Sequence, residues 1–197
     1  MPWRNGRGVT LEIAREPATG EEFTWRLSLA QIDTDCDFSA YPGYRRALVL
    51  AAGDSLRLRF RGHGSRSLGP ARRCARFEGD WKTHCAVPEG PCTDLSLIVR
   101  GSSVSRPACI LRAPMVLRIS STRRVVLAKG LHGALFAIDG SAAVTEFAGA
   151  RSRSLHTRDT LLLSPGAERI LTVRSIGPSS AQLALLRWRA GRDCAAP

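Results

Sequence analysis

The chain has 197 residues, 44% of them hydrophobic and 23% charged, a composition typical of a globular protein with one ordinary domain or two small ones. It excludes a disordered tail, a collagen and a coiled coil, and no apolar run approaches the ~20 residues of a membrane-spanning helix. The 29 basic residues exceed the 17 acidic ones by 12, and all but Lys82 and Lys129 are arginines. Such an excess can serve a polyanionic partner, but GC-rich codon usage also enriches arginine.

The predicted elements are short β-strands separated by turns that contain glycine or proline. The clearest is 55–60, where leucine or phenylalanine alternates with arginine, so that one face is apolar and the other charged. The segment 61–76, rich in Gly, Ser and Arg, predicts an exposed loop, and 101–114 predicts the link between two halves. In chain order, strands are predicted over 24–32, 47–51, 55–60, 94–100, 115–120, 124–127, 133–138, 142–147, 160–163, 169–175 and 181–187.

Strands at this density, without a long helical period, predict an all-β sandwich or barrel. A turn that contains aspartate precedes a strand twice, at 53–54 and at 158–159, and a Ser-Pro-Gly turn follows the second strand at 164–166. Such repetition is typical of jelly-roll halves. We therefore predict two jelly-roll-like β-barrels, residues 1–114 and 115–197, packed together as one compact unit.

Cysteine usage and the opening residues indicate the compartment. The six cysteines, at positions 36, 74, 85, 92, 109 and 194, form no C-x-x-C pair, so zinc-ribbon and thioredoxin-like sites are not expected. The opening MPWRNGRG lacks the ~7–15-residue apolar core of a signal peptide. We expect a cytoplasmic protein whose cysteines act as small buried hydrophobes or as tolerated surface thiols.

Five motifs in the first hundred residues resemble, in the same order, those of the HutD/Ves family of bicupins. The opening stretch 2–13, PWRNGRGVTLEI, resembles the family's PWKNGGG-V-T-x-E-I. The others resemble its strand F-x-W-R-x-S-x-A at 23–30, its turn F-S-x-F-P-G-x-x-R at 38–46, its turn F-x-G-D at 77–80 and its segment G-P-x-x-D-F-N-x-M at 90–98. Beyond residue 100 the resemblance is architectural.

The resemblance implies two RmlC-type cupin barrels, with a ligand pocket in the first. It also implies a role in histidine utilisation, in which family members are thought to bind a pathway intermediate such as urocanate or N-formylglutamate and so moderate the pathway. It implies no established enzyme activity, and we expect no cofactor. The expected ligand is therefore a small molecule that carries a carboxylate.

Arginines and a glycine turn supply the candidate anchors for such a carboxylate. Arg4, Asn5 and Gly6 lie in a turn where backbone N–H groups and a guanidinium fork can approach an anion closely. Arg26, on a predicted strand, is the second candidate anchor, and Arg46, after a Pro-Gly turn, is the third. Each of these arginines can equally be a solvated surface residue.

Alternation along strands places further polar residues beside these anchors. Thr10 and Glu12 share one face of the strand after the first turn, Ser28 shares a face with the second anchor, and Asp94 and Ser96 share a face of their strand. Their hydroxyl and carboxylate groups can hydrogen bond to an imidazole or an amide, and Asp94 can pair with an arginine and hold its guanidinium in place. An outward polar face is the alternative interpretation.

A metal site is not expected. Catalytic cupins place an H-x-H pair on one strand and a further histidine later, whereas His63, His84, His132 and His156 are widely separated here. Glu168 stands where the later histidine would be expected. Nucleophilic catalysis has no better support, because the sequence has no G-x-S-x-G elbow.

Two further functions fit the sequence. A metal-free cupin enzyme, isomerase-like and acting on a small carboxylate or sugar, would need Glu12 or Asp94 as its general base. A nucleic-acid-associated regulator would use the segment 61–76, but no stacking aromatics are interleaved with its arginines, so we expect only weak electrostatic association with nucleic acid. No membrane partner is expected, and the sequence is compatible with a homodimer.

Overall fold

A computed structural model of the chain describes residues 8–20, 22–101, 110–147 and 152–189. Every regular element in these ranges is a β-strand, which confirms the all-β prediction. None of the described residues forms a helix that could cross a membrane. The described residues group into two compact units, of which the first ends at Ala113 and the second is Pro114–Arg189.

The first unit consists of short strands connected by tight turns. Gly43 and Gly53 adopt positive φ angles of 77° and 93° in two of these turns, a conformation that strains residues with a side chain. The strands are β1 (Gly8–Glu16), β2 (Trp25–Ile32), β3 (Cys36–Asp37), β4 (Tyr44–Ala52), β5 (Leu56–Phe60), β6 (Gly64–Leu68), β7 (Cys74–Glu78), β8 (Thr83–Ala86), β9 (Cys92–Arg100) and β10 (Ile110–Leu111).

Two antiparallel sheets form this unit. One has the strand order β1-β2-β9-β4-β7 and the other has the order β3-β8-β5-β6. Both sheets contribute to one apolar core, in which Leu48 and Leu50 of β4 join Leu56 and Leu58 of β5. All four side chains are fully buried, and each such burial stabilises the fold by roughly 1.5–3 kcal/mol.

The central strand of the larger sheet, β9, is buried on both faces. It pairs with β2 on one side and with β4 on the other, and residues 94–99 are all buried. Leu95 and Leu97 point to one face, whereas Asp94 and Ser96 point to the other. The second face is therefore buried and polar, and this combination positions the candidate site.

The second unit also consists of two antiparallel sheets. Its strands are β11 (Met115–Ile119), β12 (Thr122–Leu127), β13 (His132–Asp139), β14 (Ser141–Glu146), β15 (Ser152–Leu155), β16 (Thr160–Leu163), β17 (Arg169–Ile176) and β18 (Ala181–Arg189). Within this unit the strand orders are β11-β18-β13-β16 and β12-β17-β14-β15. Leu127, Leu135, Val173 and Leu183 are among the buried side chains of its single apolar core.

The segment 61–76 differs from its prediction, because it contains β6 and the start of β7 rather than a loop. Strand β6 lies at the edge of its sheet and exposes residues 64–67, so its sequence lacks the alternation that marks a half-buried strand. The prediction also omits β8, whose buried positions hold Thr83 and Cys85 rather than large apolar residues. Most of the predicted link 101–114 lies outside the described residues.

None of the described cysteines forms a disulfide. Cys36 on β3 pairs in register with Cys85 on β8, and both belong to the core together with Cys92. Cys74 is half-buried, and burial raises the pKa of its thiol to about 11. Cys36, Cys85 and Cys92 thus serve as small core groups, and the two remaining cysteines lie outside the described residues.

Candidate functional site

Three neighbouring strands bring polar side chains onto one face of the larger sheet in the first unit. Arg26 on β2 and Arg46 on β4 both pair in register with Ile98 on β9, which lies between them. Two residues earlier on β9, Ser96 pairs with Ser28 on β2. Because paired residues of antiparallel strands point to the same face, the two guanidinium groups and the two hydroxyls share one surface.

Asp94 continues this surface at the next position on β9. It pairs with Ala30 on β2, which pairs in turn with Thr10 on the edge strand β1. On its other side Asp94 pairs with Leu50, a residue of the apolar core. The polar surface and the core are therefore continuous, and a ligand at this surface lies close to buried apolar side chains.

A cavity of about 370 Å³ opens over this surface. Cavities of this size typically hold small molecules. Among the described residues, no three histidine, cysteine or carboxylate side chains come together as metal ligands. The cavity is lined by charged, hydroxyl and aromatic side chains: Thr10, Arg26, Ser28, Ala30, Asp37, Phe38, Ser39, Tyr41, Arg46, Asp94 and Ser96.

Arg46 is almost completely buried, with 7% of its surface exposed, and aromatic rings surround its guanidinium. The guanidinium carbon lies 4.9 Å from the ring centre of Phe38, 5.6 Å from that of Tyr41 and 5.1 Å from that of Phe77. Its Nη1 donates a hydrogen bond to the carbonyl oxygen of Ser39 at 3.3 Å. Burial lowers the pKa of Arg46, but arginine remains protonated in proteins, so the cavity wall carries a fixed positive charge.

Arg26 is held by a second set of aromatic contacts. Its Nη2 donates a hydrogen bond to the hydroxyl of Tyr41 at 2.9 Å. Its guanidinium carbon lies 5.3 Å from the ring centres of both Phe23 and Tyr41. Phe23 packs in turn against Tyr44, with ring centres 4.9 Å apart. These contacts restrict the guanidinium before any ligand arrives, which reduces the entropy cost of binding.

Asp94 is the one buried carboxylate of the cavity lining, with 2% of its surface exposed. Burial raises the pKa of Asp94 to about 7, and the positive charge of Arg46 opposes this rise. Asp94 forms no hydrogen bond or ion pair with another described residue. The direct pairing that the sequence suggested between Asp94 and Arg26 or Arg46 is therefore not found, and the interaction with Arg46 acts through space.

Four buried polar atoms around the cavity have no hydrogen-bond partner among the described residues. They are the Nε atoms of Arg26 and Arg46, the Oδ1 atom of Asp94 and the Oγ atom of Ser96. A buried polar group without a partner costs about 1–3 kcal/mol, so proteins rarely keep several together without a functional reason. The same small cavity is therefore surrounded by two N–H donors, one hydroxyl, and one carboxyl oxygen that accepts a hydrogen bond when ionised and can donate one when protonated.

Two of the sequence motifs contact each other and fix the loop that closes the cavity. The Tyr41 N–H donates to the carbonyl oxygen of Gly79 at 2.8 Å, and the Gly79 N–H donates to that of Tyr44 at 2.7 Å. The carboxylate of Asp80 accepts a hydrogen bond from the Gly43 N–H at 2.8 Å. The turn at 77–80 therefore holds the segment 38–44 over the sheet.

The structure places most, but not all, of the predicted site residues at this cavity. Those that line it are Thr10, Arg26, Ser28, Arg46, Asp94 and Ser96. Glu12 is exposed and does not line the cavity, although it pairs in register with Ser28, which does. The predicted residues Arg4, Asn5 and Gly6 lie outside the described residues.

Sequence reasoning missed the part of the lining that precedes β4. Asp37, Phe38, Ser39 and Tyr41 all line the cavity, and none belongs to the middle of a strand. A loop has no periodicity that could reveal which of its side chains point inward. The available signal was the motif at 38–46, which contains Phe38, Ser39 and Tyr41 as well as the predicted anchor Arg46.

Sheets of this kind, with a polar cavity over one of them, define an all-β protein of the cupin class. A cupin 2 conserved barrel domain protein from Leptotrichia buccalis superposes with a TM-score of 0.54 at 9% identity, over 93% of this chain and 88% of that one. At this identity the likeness concerns the fold alone. The HutD family profile matches residues 1–179, and the chain belongs to that family.

Two solved structures share both fold and detectable sequence with this chain. A conserved protein of unknown function from Pseudomonas aeruginosa PAO1 superposes with a TM-score of 0.79 at 27% identity, over 96% of this chain and 93% of that one. HutD from Pseudomonas fluorescens SBW25 superposes with a TM-score of 0.72 at 26% identity, over 98% of this chain and 93% of that one.

Two curated relatives each match about half of this chain. An uncharacterized 21.2 kDa protein in the hutC 3′ region of Pseudomonas putida is 40% identical over 99 residues, which are 50% of this chain and 52% of that protein. The protein Ves of Escherichia fergusonii is 32% identical over 102 residues, or 51% of this chain and 53% of Ves. The chain thus spans about half the length of the curated relatives that it matches.

Proposed function

We propose that this chain is a cytoplasmic small-molecule-binding protein that holds a carboxylate-bearing intermediate of histidine utilisation, such as urocanate or N-formylglutamate. The observation that carries the proposal is the convergence of two supported guanidinium groups, Arg26 and Arg46, with unpartnered polar atoms on one small cavity. Membership of the HutD family supports the histidine pathway, as does the position of the P. putida relative in the hutC 3′ region.

The ligand carboxylate would accept hydrogen bonds from the two guanidinium groups. Charge-assisted bonds of this kind are about twice as strong as neutral ones, and arginine can form them in pairs. Ser96 and Asp94 then meet the remainder of the ligand. Protonated Asp94 donates a hydrogen bond, and ionised Asp94 accepts one from an imidazole or amide N–H. The cavity therefore suits a ligand with a carboxylate at one end and an N–H group at the other.

The test is titration calorimetry and thermal unfolding of the whole chain with urocanate, N-formylglutamate, histidine and glutamate. A ligand at 100 times its dissociation constant stabilises the native state by ~2.7 kcal/mol, which raises the melting temperature by about 5 °C or more. We expect one pathway intermediate to do so and glutamate not to. Absence of a shift with all four compounds, in a protein that melts cooperatively, contradicts the proposal.

The Arg26→Gln variant locates the binding in this cavity. Loss of a charged hydrogen bond should weaken binding by about 1.5–3 kcal/mol. Arg45→Gln is the matched control, because Arg45 lies on β4 next to Arg46 but points to the opposite face, where it is paired with Glu78 at 3.5 Å. Equal affinity in the two variants would remove the site from this cavity.

One observation favours a second candidate function, a metal-free enzyme that uses Asp94 as a general acid or base. Its pKa of about 7 lies near neutral pH, where a carboxylate can both accept and donate a proton during a reaction. Asp94→Asn separates the two functions. If the chain is a binding protein, the wild type shows no turnover and the variant loses at most the affinity that one hydrogen bond contributes. If it is an enzyme, the variant still binds the substrate but no longer catalyses the reaction.

A further inference from the structure

A second cavity, of about 390 Å³, lies in the first unit and shares Asp37 and Phe38 with the first cavity. Its lining differs in character, because it includes three cationic side chains, Arg59, Arg61 and Lys82. None of the residues predicted from the sequence as ligand contacts belongs to it. It is a concave, basic site on the smaller sheet, distinct from the carboxylate cavity described above.

Strand pairing explains how the cations meet. Arg59 on β5 pairs in register with His84 on β8, and His84 pairs with Asp37 on β3, so these three side chains share a face. Beyond the end of β5, the Arg61 N–H donates to the carbonyl oxygen of Lys82 at 3.0 Å. This backbone bond continues the pairing for one more position and brings Arg61 and Lys82 to the same end of the sheet.

The cations of this cavity have no acidic partners in the structure. Among the described residues, none of Arg59, Arg61 and Lys82 has a carboxylate oxygen within ion-pair distance. The one carboxylate of the lining, Asp37, is occupied by His84, whose Nδ1 lies 2.8 Å from its Oδ1. An ionised carboxylate only accepts hydrogen bonds, so this contact places a proton on Nδ1 and leaves Nε2 for a ligand.

The rest of the lining includes two aromatic residues besides Ala40 and Thr83. Phe38 and Phe60 border the cavity, and Phe60 is held by Phe77 and Trp81, with ring centres 5.0 Å and 5.3 Å away. Aromatic side chains beside cationic ones select a molecule that has an apolar, preferably flat, part next to its charge. Three cations against one paired carboxylate leave an excess of two positive charges, which a dianion would balance.

We propose that this second cavity binds a small phosphate monoester whose ester group is flat and apolar. The phosphate lies among Arg59, Arg61 and Lys82, which bind phosphate oxygens by charge-assisted hydrogen bonds. The apolar group lies against Phe38. A small molecule fits better than a nucleic acid, because the cations surround a concavity of limited volume rather than a groove that could follow a backbone. The proposal goes beyond the proposed function and does not depend on it.

The test is titration calorimetry of the whole chain with phenyl phosphate, inorganic phosphate and phenol at low salt. We expect saturable binding of phenyl phosphate, weaker binding of inorganic phosphate and none of phenol. Arg59→Gln and Lys82→Gln should each weaken phenyl phosphate binding about five- to tenfold, less than for a buried contact because both side chains are exposed.

Arg57→Gln is the matched control. Arg57 lies on β5 two residues from Arg59, on the same face and also exposed, but does not line the cavity. We expect it to change the affinity less than twofold. No saturable binding of phenyl phosphate, or equal losses in Arg57→Gln and Arg59→Gln, overturns the proposal. It is also overturned if a short DNA duplex still displaces phenyl phosphate at about 0.2 M salt, since the face is then a polyanion surface.

Discussion

Asp94 combines three properties that rarely occur in one residue. It is buried on the central strand β9, one of its carboxylate oxygens has no partner, and burial raises its pKa to about 7. In the unfolded chain its pKa is near 3.8. The native state therefore binds the proton more tightly than the unfolded state does, and stability is linked to pH through this residue.

The Asp94→Asn variant should reveal this linkage. Between pH 4 and pH 7 the native carboxyl keeps its proton while the unfolded one loses it, so the wild-type contribution to stability is present at pH 4 and lost as the pH rises to 7. The variant has no such loss. Its unfolding free energy relative to wild type should rise across this range by up to about 4 kcal/mol, measured by urea denaturation at each pH.

Asp54→Asn serves as the control for this comparison. Asp54 is exposed in the turn before β5, so its replacement should leave the difference from wild type nearly constant with pH. A constant difference for Asp94→Asn as well would show that Asp94 has an ordinary pKa. A difference that falls with rising pH would show that Asp94 is ionised and stabilised in the native state.

At the level of single residues, the sequence predicted which way a side chain points better than whether it is buried. Alternation correctly placed Ser28 with Arg26, and Ser96 with Asp94, because successive side chains on a strand point to opposite faces. It could not show that this face is covered, since coverage depends on the segment 38–44, which is distant in sequence from β9. Glu12 shares a face with Thr10, as alternation predicts, but its side chain is exposed on the edge strand β1.

At the level of elements, strands with a buried face were predictable, whereas the most exposed edge strands were not. The predicted segment 133–138 lies within the central strand β13, and 169–175 differs from β17 by one residue. By contrast, β6 and β15 lie at the ends of their sheets and expose most of their side chains. Without a buried face, a strand needs no apolar residue at every second position, so its sequence resembles a loop.

The contact between the turn at 77–80 and the segment 38–44 predicts a sensitive glycine. A Cβ atom at Gly79 would lie 2.8 Å from the carbonyl oxygen of Tyr44 and closer still to that of Tyr41. Gly79→Ala should therefore displace the segment, lower stability by about 1–3 kcal/mol and weaken ligand binding, because Tyr41 supports Arg26. Denaturation and calorimetry on the same preparation measure both effects.

Gly166→Ala provides the comparison at the same level. A Cβ atom there has no neighbour closer than the Arg169 side chain at 3.9 Å, and the backbone does not require glycine. We expect its stability to stay within about 0.5 kcal/mol of wild type. If Gly79→Ala behaves like Gly166→Ala, the close packing between the two motifs does not constrain the cavity.

At the level of the whole molecule, the positive charge is dispersed. Exposed arginines occur on strands of both units, for example Arg57 on β5, Arg118 on β11 and Arg174 on β17. The net charge of +12 should therefore produce weak, sequence-independent association with DNA that disappears by about 0.2 M salt. Fluorescence anisotropy with a labelled duplex at several salt concentrations measures it, and a complex that persists at higher salt would contradict it.

The sequence predicted the fold class of the molecule more directly than it predicted the identity of the ligand. Turn-separated strands predicted the all-β fold, and the motif at 77–80 contacts the motif at 38–46 in space. The identity of the ligand depends on which atoms remain unpaired in the folded cavity, as at Arg26 and Asp94, and a linear pattern does not carry that information. The predicted boundary at residue 114 stays a prediction.

Asp37 and Phe38 line both cavities. A movement of either side chain that fits one occupant would therefore change the space open to the other. Any effect of a carboxylate ligand on the affinity for a phosphate ester must equal, factor for factor, the effect of the ester on the carboxylate ligand. A single titration in the presence of the other compound would therefore measure the communication in both directions.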